Sequence, residues 1–500
     1  MRTARRYNSS MELDPKACYR ALRARDARFD GRFFTGVVST GVYCRPVCPA
    51  PTPKRQNCRF FPCAAAAQEA GFRPCLRCHP ETSPGTPAWR GTTSTVARAL
   101  RLISEGGLDD SRVDDLSERL GVGERHLRRL FQRQLGTSPG TVARTRRVLF
   151  AKKLIDETQL PMAEVAMSAG FASVRRFNDA IRATFERTPT ELRRVRAAAR
   201  NGARRPSVPS TSDIELKLGF RPPLQWEALL RFLERRATPG VASTGTDSYR
   251  RTVSIDGHQG VIEVRRVAGE SCHLLARIRL ANPTALIQVV ERLRRKFDLD
   301  ADPQEIAAHL RSDRRLAPLL AALPGLRIPG AWDSFEIAVR AILGQQVSVR
   351  AATTLAARLV EAHGERLALD GPPDLWAVFP RPEVLAAADL TRIGMPRARA
   401  AAIASLAAAV ADGKLKLDAA RPLDDTIRRL CELPGIGEWT AQYVAMRALG
   451  EPDAFPAADL GLRHALGTRA RPVTATEVAR AAEPWRPWRA YAAMYLWTGG

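Results

Sequence analysis

A chain of 500 residues exceeds what one ordinary hydrophobic core organises, so roughly three or four structural units are expected. Lysine and arginine number 78 against 52 acidic residues, a formal net charge of +26 that fits a polyanionic partner, with nucleic acid foremost. A membrane partner is excluded on the same reading, because the basic start, Met1 to Arg6, carries no apolar core behind its charges; no secretory signal is expected either.

The first predicted unit is marked by cysteine. Seven of nine cysteines (Cys18, Cys44, Cys48, Cys58, Cys63, Cys75 and Cys78) crowd toward the N-terminus, with Cys272 and Cys431 elsewhere. The odd number and the clustering favour metal over disulfides in a reducing compartment. Cys44 with Cys48 and Cys75 with Cys78 form two close pairs about 27 residues apart. Such spacing lets two sulfurs from each of two turns reach one tetrahedral ion, for which zinc is the expected metal. Cys58, Cys63 and His79 fit the pattern less well as substitutes, and spacing alone does not separate a structural from a reactive site.

The residues around these pairs, Thr40-Gly41-Val42-Tyr43-Cys44-Arg45-Pro46-x-Cys48 and Ala70-Gly71-Phe72-Arg73-Pro74-Cys75-x-Arg77-Cys78, resemble the methylphosphotriester-accepting head of Ada-type proteins. The resemblance implies one zinc held by Cys44, Cys48, Cys75 and Cys78, with Cys44 also the nucleophile that takes a methyl group irreversibly from a methylated DNA phosphate. Pro49-Ala50-Pro51 depart from the basic residues that regulatory members carry after the second cysteine. The Pro-Cys-His-Arg motif of alkylguanine methyltransferases is absent, so direct reversal of guanine lesions is not expected.

Next comes a basic helical segment. Residues 113–135 read as a helix, a Gly121-Val122-Gly123 turn and a second helix from about Glu124, the layout of a helix-turn-helix. The layout recurs about 50 residues later, through Ala163 to Ser168, a turn at Gly170, and Ser173 to Phe185. With Ala169-Gly170-Phe171-Ala172-Ser173, Phe177 and Phe185, it resembles the AraC-type regulator domain. Arg128, Arg129, Arg133, Arg175, Arg176 and Arg182 on the second helices are the expected DNA contacts, to guanine edges or to phosphates. Two reading helices on one chain allow a monomer to occupy successive major grooves.

Residues 80–93 and 196–212 are rich in Pro, Gly, Ser or Thr and read as linkers. Beyond the second, Arg251 to Ile255 and Val261 to Val264 alternate as strands do, and after about Asn282 helical periodicity dominates. The longest apolar stretch, residues 398–411, is too short to span a bilayer and reads as a buried helix. Leu433-Pro434-Gly435-Ile436-Gly437 lies between two apolar-periodic segments, and its glycines permit a hairpin whose N–H groups meet a DNA phosphate. Asp459 stands 22 residues past Gly437. Taken alone it reads as a helix cap; paired with the hairpin it resembles the helix-hairpin-helix glycosylase superfamily.

The stretch from about Leu218 onward resembles the AlkA-type 3-methyladenine glycosylase, on Arg221-Pro222-Pro223-Leu224-x-Trp226, Ala341-Ile342-Leu343-Gly344-Gln345-Gln346-Val347-Ser348-Val349, the hairpin, and Trp485-Arg486-Pro487-Trp488-Arg489-x-Tyr491. The resemblance implies Asp459 as the catalytic carboxylate and Phe232, Trp439, Tyr443 and Trp497 as the base pocket. It implies Gln345, Gln346, Gly435 and Gly437 at the DNA, Gln346 as the wedge where a leucine is usual, and a monovalent cation at the hairpin. Trp439 occupies the position where lyase-competent relatives carry a lysine, so simple hydrolysis is expected. No cysteine follows Cys431, so no iron–sulfur cluster is expected.

The expected fold is therefore multidomain α+β. It comprises a small zinc-bound α/β head (1–80), an all-α double helix-turn-helix domain (93–196), a linker (197–212), a small antiparallel sheet subdomain (213–282) and a mostly α helix-hairpin-helix glycosylase domain (283–500). The expected protein is soluble, cytoplasmic, bacterial and nucleoid-associated, repairing alkylated double-stranded DNA and regulating that repair with RNA polymerase as partner. Two rivals stand beside it: a transcription factor whose glycosylase-like half only binds DNA, and an active glycosylase with a purely structural zinc module.

Overall fold

The computed structural model describes residues 13–85, 95–200 and 213–499, except positions 110, 268, 270, 271, 370 and 469. The chain divides into two units, Met1–Arg200 and Asn201–Gly500.

In the first unit, helix α1 (Pro15–Ala24) precedes strands β1 (Phe34–Val37), β2 (Val42–Cys44) and β3 (Cys58–Phe61), helix α2 (Ala64–Glu69) and the two-residue strand β4 (Arg73–Pro74). The sheet order is β3-β1-β2-β4; β1 runs antiparallel to both neighbours and β4 parallel to β2, with Tyr43 opposite Pro74. That register sets the ends of β2 and β4 side by side, and each end carries a cysteine pair into the following turn.

Helices α3 (Thr95–Ser104), α4 (Val113–Arg119), α5 (Glu124–Leu135), α6 (Pro139–Glu157), α7 (Met162–Ser168), α8 (Val174–Phe185) and α9 (Pro189–Arg200) complete the unit. Both expected helix-turn-helix pairs are present, α4–α5 and α7–α8. Their second helices bury the same pattern, Leu127, Phe131 and Leu135 in α5 and Phe177, Ile181 and Phe185 in α8, which is the i, i+4, i+8 stripe of a one-faced helix. The long helix α6 starts at the Ser138 cap, whose Oγ accepts from Thr141 N at 3.2 Å, and packs against α3, α7, α8, α9 and α2.

Both expected linkers begin later than the composition suggests. Residues 80–85 still belong to the head: Pro80–Thr82 form a 3₁₀ turn and Ser83 Oγ donates to Asp30 Oδ1 at 3.3 Å. Residues 86–93 lie outside the described residues, as do 201–212. Residues 196–200 continue α9, because alanine and arginine propagate a helix that has already nucleated.

The second unit opens with a five-stranded antiparallel sheet of order β5-β9-β8-β7-β6, formed by β5 (Asp213–Gly219), β6 (Ala242–Thr244), β7 (Ser248–Ile255), β8 (His258–Arg266) and β9 (His273–Leu280). Helix α10 (Trp226–Glu234) lies between β5 and β6 in sequence. Then follow α11 (Leu286–Lys296), α12 (Pro303–Leu310), α13 (Leu316–Ala322), α14 (Ser334–Leu343), α15 (Val349–His363), α16 (Pro382–Ala387), α17 (Arg397–Ala411), α18 (Leu423–Cys431), α19 (Glu438–Arg447), α20 (Leu460–Leu466), α21 (Ala475–Ala482) and α22 (Arg489–Gly499). One apolar core gathers α14, α15, α17 and α19, and a second gathers α12, α13, α20, α21 and α22. Helix α19 serves both, with Ala441 and Val444 in the first and Ala445 and Met446 in the second. It is therefore apolar on most of its circumference and not a one-sided amphipathic helix. A buried ion pair, Arg251 of β7 to Glu336 of α14 at 2.8 Å, pins the sheet to the helices. Among the described residues no helix is long and apolar enough to cross a membrane.

Candidate functional sites: an indole-held aspartate and a four-cysteine pocket

The hairpin Leu433 to Gly437 joins α18 to α19. Gly435 has φ +78°, and a Cβ there would lie 2.6 Å from Ala402 Cβ, so both the conformation and the close approach to α17 require glycine. Buried Ile436 anchors the loop from below. Gln345 Nε2 donates to Gly435 O and to Thr440 Oγ1, both at 2.9 Å, and Arg399 Nη2 donates to Gln345 O at 2.6 Å. The Gln345 side chain is thus a strut under the hairpin. Gln346 is exposed with φ +55°, a left-handed conformation that is unfavourable for a side chain with a Cβ.

Asp459 caps α20, its Oδ1 accepting from Leu462 N at 3.1 Å. The same carboxylate accepts from Trp497 Nε1 at 2.8 Å (Oδ1) and from Trp439 Nε1 at 3.1 Å (Oδ2). The cap and the functional reading of Asp459 are therefore compatible: the cap fixes the backbone, and two indoles aim the carboxylate. Trp439 and Tyr443, one helical turn apart on α19, stack with centroids 5.4 Å apart and planes 15° from parallel. Trp497 tilts against Tyr443 at 6.3 Å. Asp459, Trp439, Tyr443 and Trp497 line one cleft of about 1140 Å³, together with Gln345, Gln346, Gly435 and Gly437. Phe232 does not line it; its ring lies under the guanidinium groups of Arg236 at 3.8 Å and Arg447 at 4.6 Å.

The cleft has a cationic wall that sequence reading missed: Arg236, Lys296, Arg340 and Arg447. Burial, with Arg251, Arg447 and Arg340 nearby, holds the Lys296 ammonium well below its ordinary pKa. Burial brings Arg447 down to about 10. Arg447 Nη1 donates to Tyr443 OH at 2.6 Å; burial pushes that phenol up, but Arg447, Arg236 and Arg340 outweigh it and hold it below its ordinary value. No sequence signal marked these residues, which come from the segment after α10 and from α11, α14 and α19; Lys296 merely ends the basic run Arg294-Arg295-Lys296.

In the first unit the Sγ atoms of Cys44, Cys48, Cys75 and Cys78 all lie within 4.8 Å of one another, and all four residues are buried. Cys75 N donates to Tyr43 O at 3.0 Å and Arg45 N approaches Cys78 Sγ at 3.4 Å, so the two turns clasp each other. Four convergent sulfurs from two short turns fit one tetrahedral zinc ion. Four sulfurs this close cannot all ionise without a cation between them. The weaker candidates point elsewhere. Cys58 Sγ donates to Lys54 O at 3.4 Å, Cys63 Sγ to Leu135 O at 3.8 Å, and His79 Nδ1 faces Glu81 at 2.9 Å and Asp156 at 3.1 Å.

Arg128, Arg129, Arg133, Arg175, Arg176 and Arg182 are all exposed on α5 and α8. Arg128 is held by Glu124 at 2.5 Å and Arg129 Nη2 lies 3.1 Å from His126 Nδ1. Arg25 Nη2 donates to Pro49 O at 3.1 Å and Ala50 O at 3.3 Å, which fixes the proline loop after Cys48.

Four family models match. They are described as metal binding domain of Ada (residues 17–81), helix-turn-helix domain (116–195), AlkA N-terminal domain (215–333) and HhH-GPD superfamily base excision DNA repair protein (339–487). A Mycobacterium tuberculosis protein described as a probable bifunctional transcriptional activator/DNA repair enzyme AlkA is 43% identical over 488 residues, 98% of this chain and 97% of its own length. The DNA-3-methyladenine glycosylase 2 of Escherichia coli is 37% identical over 284 residues, 56% of this chain and 95% of that protein. Among solved structures, a 3-methyladenine DNA-glycosylase from Archaeoglobus fulgidus aligns at TM-score 0.47 and 24% identity, covering 56% of this chain and 96% of that one.

Proposed function

Since the chain belongs to the family of bifunctional transcriptional activator/DNA repair enzymes to which the mycobacterial protein gives its description, we propose that it excises alkylated bases of the 3-methyladenine type by hydrolysis at Asp459 and accepts methyl groups from DNA methylphosphotriesters on Cys44. The observation that carries the first activity is a carboxylate held by two indole N–H groups beside a stacked aromatic pair at the foot of the hairpin.

Alkylation of a purine ring nitrogen makes the base cationic and a good leaving group, so the enzyme needs an anion more than an acid. Asp459 stabilises the positive charge that builds on the deoxyribose as the glycosidic bond lengthens, and it orients the attacking water or takes its proton. The bond electrons leave with the base; water oxygen bonds to the sugar carbon and leaves an abasic site. Trp439, Tyr443 and Trp497 offer π faces to the flipped base. With Trp439 at the hairpin position that would carry a lysine, this reading is hydrolytic.

In the head, Cys44, Cys48, Cys75 and Cys78 would hold a zinc ion, which would keep their sulfurs as thiolates at neutral pH and give the cluster a formal charge of two minus. The Cys44 sulfur attacks the methyl carbon and the carbon–oxygen bond breaks. Its electron pair stays on phosphate, which becomes an ordinary diester, while the sulfur becomes a neutral thioether. One negative charge leaves the protein surface beside the DNA, which raises affinity for the duplex and supplies the switch for transcription. On this reading residues 1–80 sense, 93–196 read the operator and contact RNA polymerase, and 213–500 repair, in a chain able to act as a monomer.

One duplex bearing a labelled methylphosphotriester and a 3-methyladenine tests both halves. The expected result is label on the protein, lost in Cys44→Ala, together with base release that this variant retains. Label transfer undiminished in Cys44→Ala refutes the acceptor assignment.

A further inference from the structure

The two helix-turn-helix copies end in matching left-handed turns, and both turns grip the head. After α5 the turn is Gly136 (φ +68°); Leu135 O accepts from Cys63 Sγ and the Thr137 hydroxyl meets the Glu69 carboxylate. After α8 the corresponding residue is Glu186, at φ +53°. A side chain in that conformation costs about 1 kcal/mol or more relative to glycine. What Glu186 does there is bind Arg73 of β4, Oε2 to Nη1 at 2.7 Å, which brings the end of α8 against the strand that leads into Cys75.

Beside this contact lies a cavity of about 450 Å³, which Arg73 also lines. Cys44, Cys48 and Cys75 form one wall, Pro51 and Pro53 of the proline loop another, and Phe185 and Arg187 of the second helix-turn-helix complete it. Arg77 also lines it, from between Cys75 and Cys78. No carboxylate lines this cavity, and among the described residues neither the Arg77 nor the Arg187 side chain forms a hydrogen bond or ion pair, the nearest acidic influence on Arg187 being the charge of Glu191 at the start of α9. A methylated phosphate is neutral, but its neighbours along the strand are anionic and are repelled by a thiolate cluster. Something positive has to hold them within reach of Cys44.

We infer that Arg187 of the regulator domain, with Arg77 of the head, holds the phosphodiesters that flank the methylated phosphate, so that the methyl-acceptor site is composite and is completed by the second helix-turn-helix. The inference rests on the reading of Cys44 as acceptor. It gives Arg187 a positioning role: it touches the backbone of the substrate, not the transferred methyl.

The test uses the full zinc-loaded chain, a duplex with a single labelled methylphosphotriester, and anisotropy of the same duplex without the lesion. Arg187→Ala is expected to slow transfer about tenfold at sub-saturating duplex and little at saturation. It is also expected to lower the dependence of log affinity on log salt by about 0.9, the share of one phosphate. Arg187→Lys is expected to recover most of both. Glu186→Gln keeps Arg187 and serves with zinc content and thermal unfolding to separate charge from docking: a salt slope lowered by Arg187→Ala but not by Glu186→Gln supports the clamp. An Arg187→Ala protein with wild-type slope and wild-type transfer overturns it. Absence of transfer by the wild type instead refutes the acceptor reading, while the anisotropy slope still reports on Arg187 by itself.

Discussion

Asp459→Asn separates the two tasks of one residue. Asparagine caps a helix about as well as aspartate, so the bond from Leu462 N at 3.1 Å can persist and stability is expected to stay within about 1 kcal/mol of wild type. The chemistry differs. The carboxylate now accepts Trp497 Nε1 at 2.8 Å on Oδ1 and Trp439 Nε1 at 3.1 Å on Oδ2; an amide has one acceptor oxygen, so its NH₂ must oppose one indole N–H. The variant loses an indole bond worth roughly 1 kcal/mol and the full negative charge. A unit charge about 4 Å from a developing cation contributes roughly 4 kcal/mol at an effective dielectric near 20, equivalent to about a thousandfold in rate. Single-turnover release of 3-methyladenine from duplex, alongside urea unfolding, reads both quantities. Excision within tenfold of wild type, in a protein of unchanged stability, would refute the assignment of transition-state charge stabilisation to Asp459.

Three further outcomes are expected. Gly435→Ala places a Cβ 2.6 Å from Ala402 Cβ at φ +78°, so about 2–4 kcal/mol of stability and much of the DNA affinity should be lost, measured by denaturant unfolding and anisotropy; a change under about 0.5 kcal/mol contradicts the close-approach explanation. Glu336→Ala leaves Arg251 buried and unpaired, for a loss of about 3–5 kcal/mol. Burial pushes the Glu336 carboxyl up but Arg251 outweighs it, so its pKa sits below the ordinary 4.5. The stabilisation is then complete above that value and lost as pH falls through the lower folded one, and Glu336→Gln should flatten the acid limb of stability against pH; an unchanged limb assigns acid unfolding elsewhere. Gln346→Leu should alter single-turnover excision differently opposite different partner bases, because the amide of the exposed Gln346 can hydrogen-bond an orphaned base and leucine cannot; identical profiles count against a wedge role.

The two helix-turn-helix copies, the strand pairs around Arg251 and Val261, the hairpin and the cysteine turns were legible in the chain itself because each is local. Periodicity of 3.6 or 2, a glycine at a turn and two cysteines within one turn are written in neighbouring residues. The linkers were less legible, since composition marks polarity but not whether a residue such as Ser83 finds a partner like Asp30.

What only the tertiary structure decided is non-local. Trp497 reaches Asp459 across 38 residues, and Gln345 braces the hairpin across 90. Lys296 joins the wall of the cleft from a helix that the hairpin motif does not contain, and Phe232 turns out to lie beneath two arginines and outside that cleft. Likewise the four cysteine sulfurs were foreseeable from two turns, but not the arginine that the regulator domain sets beside them. Spacing along a chain fixes dihedral angles and faces; which faces meet depends on packing and charge pairing over the whole unit, and the cleft and the four-cysteine pocket are both made where such faces meet.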